Sequence, residues 1–544
     1  MSQASRQRTL LLFVSLLLAA PSWSSERLVF GSFEQRSNAS AFAQLLSEAL
    51  GQQIEVATVR STDADGDDLV WHRVVTGVAE AGTLVELQVQ AATLGHRTWY
   101  WRSGDDEPVL AKRVAPNLSP RVDFATAPAK PNAVAQAAAQ TATPRLRQSS
   151  RADAARVETE FDLGLQSRSY VETGQADQSR WQLSASGQFD WFMASADRRH
   201  SFTLSPFFRI DGEDDERTHF DLREAFYSHI SDSYELHLGA RQIFWGVTEF
   251  KHLVDVINQT DLVENIDGED KLGQPMAQLS LSRNWGVLDL FLLAGARERT
   301  FAGSNGRLRF ALPVDSDSAQ YESSAEQQRV DGAVRWSHYA GPLSWGIYHF
   351  SGTNRDPLLL PRVATSGELE LVPYYSVIDQ SGLDAQLIAG DWAFKLEAIS
   401  RSGDGDRYAA ANLGFERTLV GVLGSRTDLG LVVEYLFDER GDQAHNTLFE
   451  RDLAIGTRLS FNDAASSEAL LGVIWDTETQ EYVVSLEASR QIGQHWQLAV
   501  EGRAFSGAPK LNAAEQLLAF GDGSAKSAFL QSDDFLQLEL TRFF

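Results

Sequence analysis

The chain has 544 residues, a formal net charge of −26 at pH 7 and no cysteine. The acidic balance excludes a protein that binds nucleic acid through a basic surface, because phosphate backbones require clusters of Lys and Arg. Beyond the N-terminus no run of 18 apolar residues occurs, which excludes a protein that crosses a membrane with helices. The absence of cysteine suits export through an oxidising compartment, where stray thiols would form disulfides.

Residues 1–24 have the pattern of a secretory signal peptide. Arg6 and Arg8 precede an apolar run from Leu10 to Ala20, and the small residues Ser22 and Ser24 mark the expected cleavage site. The run is too short to span a membrane as an anchor. The sequence therefore predicts export, with cleavage just after Ser24.

Residues 25–102 contain two copies of a strand, helix and strand pattern. Apolar residues recur at helical spacing in each helix, and Gly51 and Gly95 follow the two helices, where a cap residue is expected. A βαββαβ order of this length predicts a small α+β, ferredoxin-like domain with a four-stranded antiparallel sheet. The expected strands are Leu28–Phe30, Ile54–Val59, Leu69–Val75 and Thr98–Arg102, and the expected helices are Asn38–Leu50 and Ala79–Leu94.

Two segments of this domain carry a family resemblance: LVFGSFEQRSNASAFAQLLSEAL and VWHRVVTGVAEAGTLVELQVQAATLG. They are similar to the SPOR family, whose members bind peptidoglycan glycan strands that lack stem peptides. The resemblance implies a periplasmic domain that binds the cell wall through Ser32, Trp71, Arg73 and Tyr100. The residues alone leave an alternative, in which Trp71 and the aromatic run Trp99–Trp101 pack against another part of the protein.

Residues 103–156 are predicted to be a flexible linker. Ala, Pro, Gln and Thr dominate this stretch, and it has no apolar periodicity. A coil of this length spans roughly 40 Å on average and roughly 180 Å when fully extended. Such a tether would allow a domain held beneath the outer membrane to reach the cell wall.

Residues 157–544 form a series of segments in which apolar and polar residues alternate, separated by turn residues. This pattern is typical of a transmembrane antiparallel β-barrel, with apolar side chains facing lipid and polar side chains facing the lumen. Lys395, Glu397, Arg458 and Arg503 are expected to face the lumen. The count is about 18 strands, or 16 if the segment Ala277–Asn284 is a loop, with long and short connections in alternation.

The chain ends in FLQLELTRFF, in which Leu536, Leu538 and Leu540 share one face. This ending resembles the C-terminal strand signal of outer-membrane barrels, which implies recognition by the barrel-assembly machinery. Together with the signal peptide, it predicts a protein of the cell outer membrane, in contact with outer-membrane lipid and with its N-terminal domain in the periplasm. Strand periodicity does not determine the oligomeric state, and a homo-oligomer is compatible with it.

The connection Gly246–Met276 is the third exterior loop in this count. Porins, which this architecture resembles, commonly fold that loop into the lumen, and Val254 and Ile257 would allow it to pack against the barrel wall. An acidic constriction would favour cations over anions. The alternative is an exterior cap whose carboxylates are solvated or hold Ca²⁺. The predicted constriction residues are Asp255, Asp261, Glu264, Asp267, Glu269 and Asp270, with Arg241 opposite them.

The sequence predicts a channel rather than an enzyme. The 11 histidines are scattered, and no GxSxG or HExxH motif occurs. No cofactor or metal is expected. The leading hypothesis is a porin-like channel anchored to peptidoglycan by the SPOR-like domain. The alternatives are a non-conducting tether between outer membrane and cell wall, and an outer-membrane hydrolase.

Overall fold

The computed structural model describes residues 26–33, 36–50, 53–62, 68–76 and 99–102, and then residues 155–544 except 311, 365–366, 404, 442–443, 445–446 and 523–524. The chain divides into two compact units, Met1–Pro120 and Arg121–Phe544. The expected signal peptide, the linker up to residue 154 and the second helix, Ala79–Leu94, lie outside the described residues. Within the described ranges, no helix has the length and apolar character to cross a membrane.

The N-terminal unit contains one four-stranded antiparallel sheet and one described helix. Its elements are β1 (Glu26–Phe33), α1 (Arg36–Leu50), β2 (Ile54–Thr62), β3 (Asp68–Thr76) and β4 (Trp99–Arg102). The strand order is β2-β3-β1-β4, and neighbouring strands pair antiparallel, as predicted. Helix α1 buries Ala39, Ala43 and Leu46 against Phe30 and Val74 of the sheet, as the helical spacing of its apolar residues predicts.

The C-terminal unit is a closed barrel of 18 antiparallel strands. The last strand pairs with the first along Phe535–Phe543 and closes the barrel. This confirms the mainly β fold and the count of 18. The strands are β5 (Arg156–Tyr170), β6 (Trp181–Ala194), β7 (His200–Asp211), β8 (His219–Ile230), β9 (Glu235–Arg241), β10 (Gln274–Arg283), β11 (Gly286–Ala294), β13 (Val330–Ala340), β14 (Leu343–Thr353), β17 (Val377–Ala389), β18 (Trp392–Ser402), β19 (Tyr408–Leu419), β20 (Asp428–Asp438), β21 (Arg451–Ser460), β22 (Glu468–Asp476), β23 (Tyr482–Ile492), β24 (Trp496–Ser506) and β25 (Phe535–Phe543).

The connections of the barrel carry little regular structure. Three short strands, β12 (Gln320–Tyr321), β15 (Leu358–Val363) and β16 (Leu369–Tyr375), form a small separate sheet. A helix, α2 (Ala513–Asp522), lies between β24 and β25. Strand β10 occupies the segment that would have been a loop in a barrel of 16 strands.

The two rims of the barrel differ in the length of their connections. One rim, called here the short-turn rim, has turns such as 284–285, 341–342 and 390–391, and both ends of the barrel sequence lie there. At the other rim, called here the long-loop rim, the four longest connections begin and end. These are residues 242–273, 295–329, 354–376 and 507–534. The alternation agrees with the sequence prediction.

The barrel wall has an apolar exterior and a polar interior. On β18, Lys395 and Glu397 are almost fully buried, whereas Leu413 on the neighbouring β19 is 61 % exposed and Ile455 on β21 is 50 % exposed. Strand alternation produces this division, because successive side chains point to opposite faces. An exterior of leucine, valine and aromatic side chains is the surface that lipid solvates at low cost.

We expect Leu413→Arg to lower the free energy of unfolding by about 2 to 4 kcal/mol in lipid vesicles, because it places a charge near the middle of the apolar exterior. The matched control is Leu419→Arg, at the short-turn end of the same strand, where the cost falls to about 0 to 1 kcal/mol. Urea unfolding of both variants measures the difference. Equal costs at the two positions would contradict a membrane-facing exterior.

Candidate functional site

The connection between β9 and β10 crosses the interior of the barrel. Its residues 242–273, called here the inserted segment, bond to Glu397 on β18 and pair with Arg458 on β21 and Arg209 on β7. In a ring of 18 strands, β21 is the ninth strand from β9 in either direction. The segment therefore reaches the wall opposite its origin. This geometry agrees with the predicted inward loop rather than with an exterior cap.

The Glu397 carboxylate holds the first turn of the inserted segment. It accepts hydrogen bonds from the backbone N–H groups of Val247 (2.7 Å), Thr248 (3.0 Å), Leu253 (2.7 Å) and Val254 (3.3 Å), and from the Thr248 hydroxyl (2.7 Å). Hydrogen bonds to an ionised acceptor contribute about 1.5 to 3 kcal/mol each. One buried side chain of the wall thus fixes the backbone of residues 247–254.

A second wall carboxylate, Glu434 on β20, holds the far end of this turn. It accepts from the backbone N–H groups of Glu249 (2.7 Å) and Phe250 (3.0 Å). The Phe250 ring then lies against Gly456 and Gly472 on β21 and β22, where an added Cβ would stand 2.9 and 2.8 Å from ring carbons. The two glycines therefore leave the space that the ring fills.

One side of the inserted segment forms an apolar core with the barrel wall. Trp245 lies 4.8 Å from Tyr348 and 5.6 Å from Phe291, measured between ring centroids. Val254 and Ile257 are fully buried, so the packing predicted for them is present. This core occupies part of a lumen that is otherwise polar. Its other buried members are Ile243, Val256, Met276, Leu293, Phe350, Ile378, Ile399, Tyr408 and Ala410.

Four of the predicted constriction carboxylates form ion pairs inside the barrel. The N–O distances are 3.2 Å for Asp255 with Lys271, 2.9 Å for Asp261 with Arg223, 2.6 Å for Glu264 with Arg209 and 2.8 Å for Asp267 with Arg503. Glu269 is exposed and Asp270 is half-buried. Arg241 donates to Gln278 and lies over the Phe226 ring. The four paired carboxylates thus have their charge balanced by neighbouring cations.

Glu264 shows the strength of this pairing. Burial alone would raise the pKa of its carboxyl group, but the Arg209 guanidinium outweighs burial and, with Arg217, holds the pKa at about 2. Arg209 donates three hydrogen bonds of 2.6 to 2.9 Å to it. The depressed pKa means that this contribution to stability is present above the ordinary Glu pKa and is lost only as pH falls toward 2.

Arg503 on β24 collects three carboxylates at one place in the lumen. Its guanidinium pairs with Asp267 (2.8 Å), Glu501 (2.9 Å) and Glu487 (3.4 Å). Oxygen atoms of the three carboxylates lie within 4.8 Å of one another. The cation of this cluster is therefore a protein side chain, which joins the inserted segment to the wall of β23 and β24.

A group of cations that the sequence analysis missed surrounds Lys251 of the inserted segment. Burial lowers the pKa of Lys251, Asp356 opposes that change, and Arg299, Lys271 and Arg401 lower the pKa further. Asp356 itself pairs with Arg299 (2.5 Å) and Arg401 (3.5 Å). These residues come from separate connections and strands, so no local sequence pattern predicts that they lie close together. The lumen thus carries fixed charges of both signs.

The predicted glycan-binding residues lie on three strands of the N-terminal sheet. Ser32 on β1 is the register partner of Arg73 on β3, and Trp71 is two positions further along β3. Tyr100 on β4 pairs instead with Leu28, on the other edge of β1. The register therefore brings Ser32, Trp71 and Arg73 together and leaves Tyr100 one strand away.

No protein-family model and no curated protein matches this chain. Solved structures that it resembles include Pseudomonas aeruginosa OccK3 (OpdO), at 8 % identity and a TM-score of 0.41 over 71 % of this chain and 95 % of that one. Acinetobacter baumannii OccAB4 shows 10 % identity and a TM-score of 0.41 over 72 % and 97 %. A BenF-like porin from Pseudomonas fluorescens Pf-5 shows 8 % identity and a TM-score of 0.41 over 72 % and 98 %.

We expect Glu397→Gln to loosen residues 247–254, because the amide NH₂ cannot accept the bonds that one carboxylate oxygen accepts. Amide hydrogen exchange there should accelerate at least tenfold, since each lost bond is worth about 1.5 to 3 kcal/mol. Exchange measured by mass spectrometry tests this. Glu416→Gln is the control, because Glu416 binds the side chains of Lys395 and Arg458. Equal acceleration in both variants would refute the assignment to Glu397.

Proposed function

We propose that the protein is a porin-like channel of the outer membrane whose constriction is the inserted segment. The proposal rests on one observation: the inserted segment crosses the lumen of a closed barrel and is bonded to its wall. The lumen is charged, whereas the exterior of the barrel is apolar. A barrel of 16 to 18 strands is wide enough for an aqueous channel, and the segment narrows it. Strand β25, which closes the barrel, is the expected signal for the assembly machinery.

The fixed charges of the lumen support the proposal that the channel transports small hydrophilic solutes. Carboxylates and guanidiniums project from the wall and from the inserted segment, and most are paired. Paired charges keep a polar, hydrated path without a strong excess of one sign. The proposed constriction comprises Asp255, Asp261, Glu264, Asp267, Glu269, Asp270 and Arg241, and we add Lys251 to it because of its charged neighbours.

We further propose that the N-terminal sheet anchors the barrel to peptidoglycan glycan strands. The support is the SPOR resemblance together with the register that places Ser32 opposite Arg73 and close to Trp71. Val75, two positions beyond Arg73 on the same face, is fully buried, so a ligand would bind toward the Trp71 end of β3. The linker would span the distance between the barrel and the cell wall.

A second candidate function is a non-conducting tether between the outer membrane and the cell wall. The extent of the apolar core around Val254 and Ile257 favours it, because that core fills part of the lumen. A plugged barrel would still present its N-terminal domain to peptidoglycan. The two candidates differ in whether ions pass the inserted segment.

Current recordings in planar lipid bilayers separate these candidates. We expect the intact protein to produce discrete conductance steps. The double variant Glu397→Gln/Glu434→Gln should produce larger or more variable steps, because both anchors of residues 247–254 are weakened. Leu419→Arg, outside the lumen, should conduct like the wild type. Absence of steps from the wild type, with steps appearing only in the double variant, would establish a plugged tether instead.

Sedimentation with purified peptidoglycan sacculi tests the anchor. The full-length protein in detergent should bind more strongly after an amidase has removed the stem peptides, and Trp71→Ala should reduce binding at least tenfold. Trp181→Ala, which removes an exposed aromatic residue from the barrel exterior, should bind like the wild type. Binding that is unaffected by Trp71→Ala, or no binding to either preparation, would remove the proposed glycan site.

A further inference from the structure

A patch of polar side chains interrupts the apolar exterior of the barrel on β14, β17 and β18. His349 and Asp379 point outward, because the residues that alternate with them, Tyr348, Ile378 and Gln380, are buried on the lumenal side. The side chains of His349 and Asp379 are 51 % and 55 % exposed. The patch, called here the outer polar patch, comprises His349, Ser351, Asp379, Ser381, Ser400, Ser402 and Arg407.

The strand register joins these side chains into one surface. His349 on β14 lies opposite Ser381 on β17, and Ser381 lies opposite Ser400 on β18. His349 Nδ1 is 3.0 Å from Ser381 Oγ, and His349 Nε2 is 3.9 Å from Asp379 Oδ1. Three adjacent strands therefore contribute neighbouring polar groups to the same face.

Arg407 places a positive charge beside the Asp379 carboxylate. It follows β18 in the chain and donates to the hydroxyl oxygens of Ser400 (3.2 Å) and Ser402 (2.8 Å). Ser402 lies opposite Asp379 on the neighbouring strand. Within the strands that the structure describes, Asp379 is the only carboxylate at an outward position. The patch therefore carries one negative and one positive charge close together.

The patch lies within the apolar band rather than beyond it. His349 is four residues, about 13 Å of strand, before the end of β14 at the long-loop rim. Large apolar side chains continue closer to that rim on other strands: Leu292 of β11 is 57 % exposed and Ile210 of β7 is 60 % exposed. A charge on the lipid face destabilises a barrel. A partner other than lipid tails is therefore expected to cover the patch.

The charges and the shape of the patch favour a second copy of this chain as that partner. A polyanionic lipid headgroup would be attracted by Arg407 but repelled by Asp379. An identical patch related by a two-fold axis offers each charge its opposite. Outward residues beside the patch are small, and small side chains allow two membrane-embedded surfaces to approach closely. These residues are Gly332, Ala398, Ala409 and Ala411.

We propose that the outer polar patch is the contact between two copies of this chain, related by a two-fold axis near Ser381. Asp379 of each copy faces the partner's Arg407. Ser381 lies between His349 and Ser400 by register, so its two copies meet at the axis. The contact lies on the exterior, and it does not depend on whether the lumen conducts.

Crosslinking in the outer membrane tests the contact. The chain has no cysteine, so Ser381→Cys introduces a single thiol, and a short bismaleimide should produce a covalent dimer on a denaturing gel. Ser167→Cys is the matched control and should remain monomeric, because Ser167 points outward between buried Gln166 and Arg168 on β5, nine strands from β17. A monofunctional maleimide checks that both thiols react. Monomers from both variants, or equal crosslinking of both, would overturn the proposal.

An exchange of the two charges tests how the copies recognise each other. Asp379→Arg should weaken dimerisation by about tenfold or more, because arginines then face one another across the contact. The double variant Asp379→Arg/Arg407→Asp should dimerise like the wild type, since opposite charges meet again. Sedimentation equilibrium in detergent measures both. Unchanged dimerisation of Asp379→Arg, no recovery in the double variant, or wild-type monomers that bind lipopolysaccharide at the patch would refute the contact.

Discussion

Hydrogen bonds from backbone N–H groups to two carboxylates of the barrel wall determine how the inserted segment lies inside the barrel. The inserted segment contains no helix or strand, so its buried amides lack the partners that regular structure provides. Glu397 and Glu434 supply those partners from the opposite wall. The attachment also positions the Phe250 ring, because Glu434 accepts a hydrogen bond from the Phe250 backbone N–H.

The ion pairs have a different role from the backbone capture. Buried pairs often add little net stability, because desolvation offsets their attraction, but loss of one partner leaves a costly unpaired charge. Arg503, bound to three carboxylates, and Arg209, bound to Glu264, therefore restrict the inserted segment to one arrangement. These ion pairs hold charged groups at fixed positions in the lumen, and they do so without an excess of positive or negative charge.

The local features of this protein could be predicted from its sequence, and its long-range features could not. Strand alternation placed Lys395 and Glu397 in the lumen because side-chain direction depends only on position along a strand. The partners of Glu397 could not be inferred, since they lie 143 to 150 residues earlier and meet it only in a closed barrel.

The long separations have a consequence for the order of folding. Residues of the inserted segment bond to side chains 143 to 236 positions later in the chain, and joining such distant groups carries a loop-closure cost that later contacts must offset. The full set of contacts of the segment exists only when β18 to β24 have paired. Until then Val254 and Ile257 have no wall to cover them, so the unfinished barrel exposes apolar side chains that are buried in the finished one. The complete set of contacts made by the segment therefore depends on strands that come late in the chain.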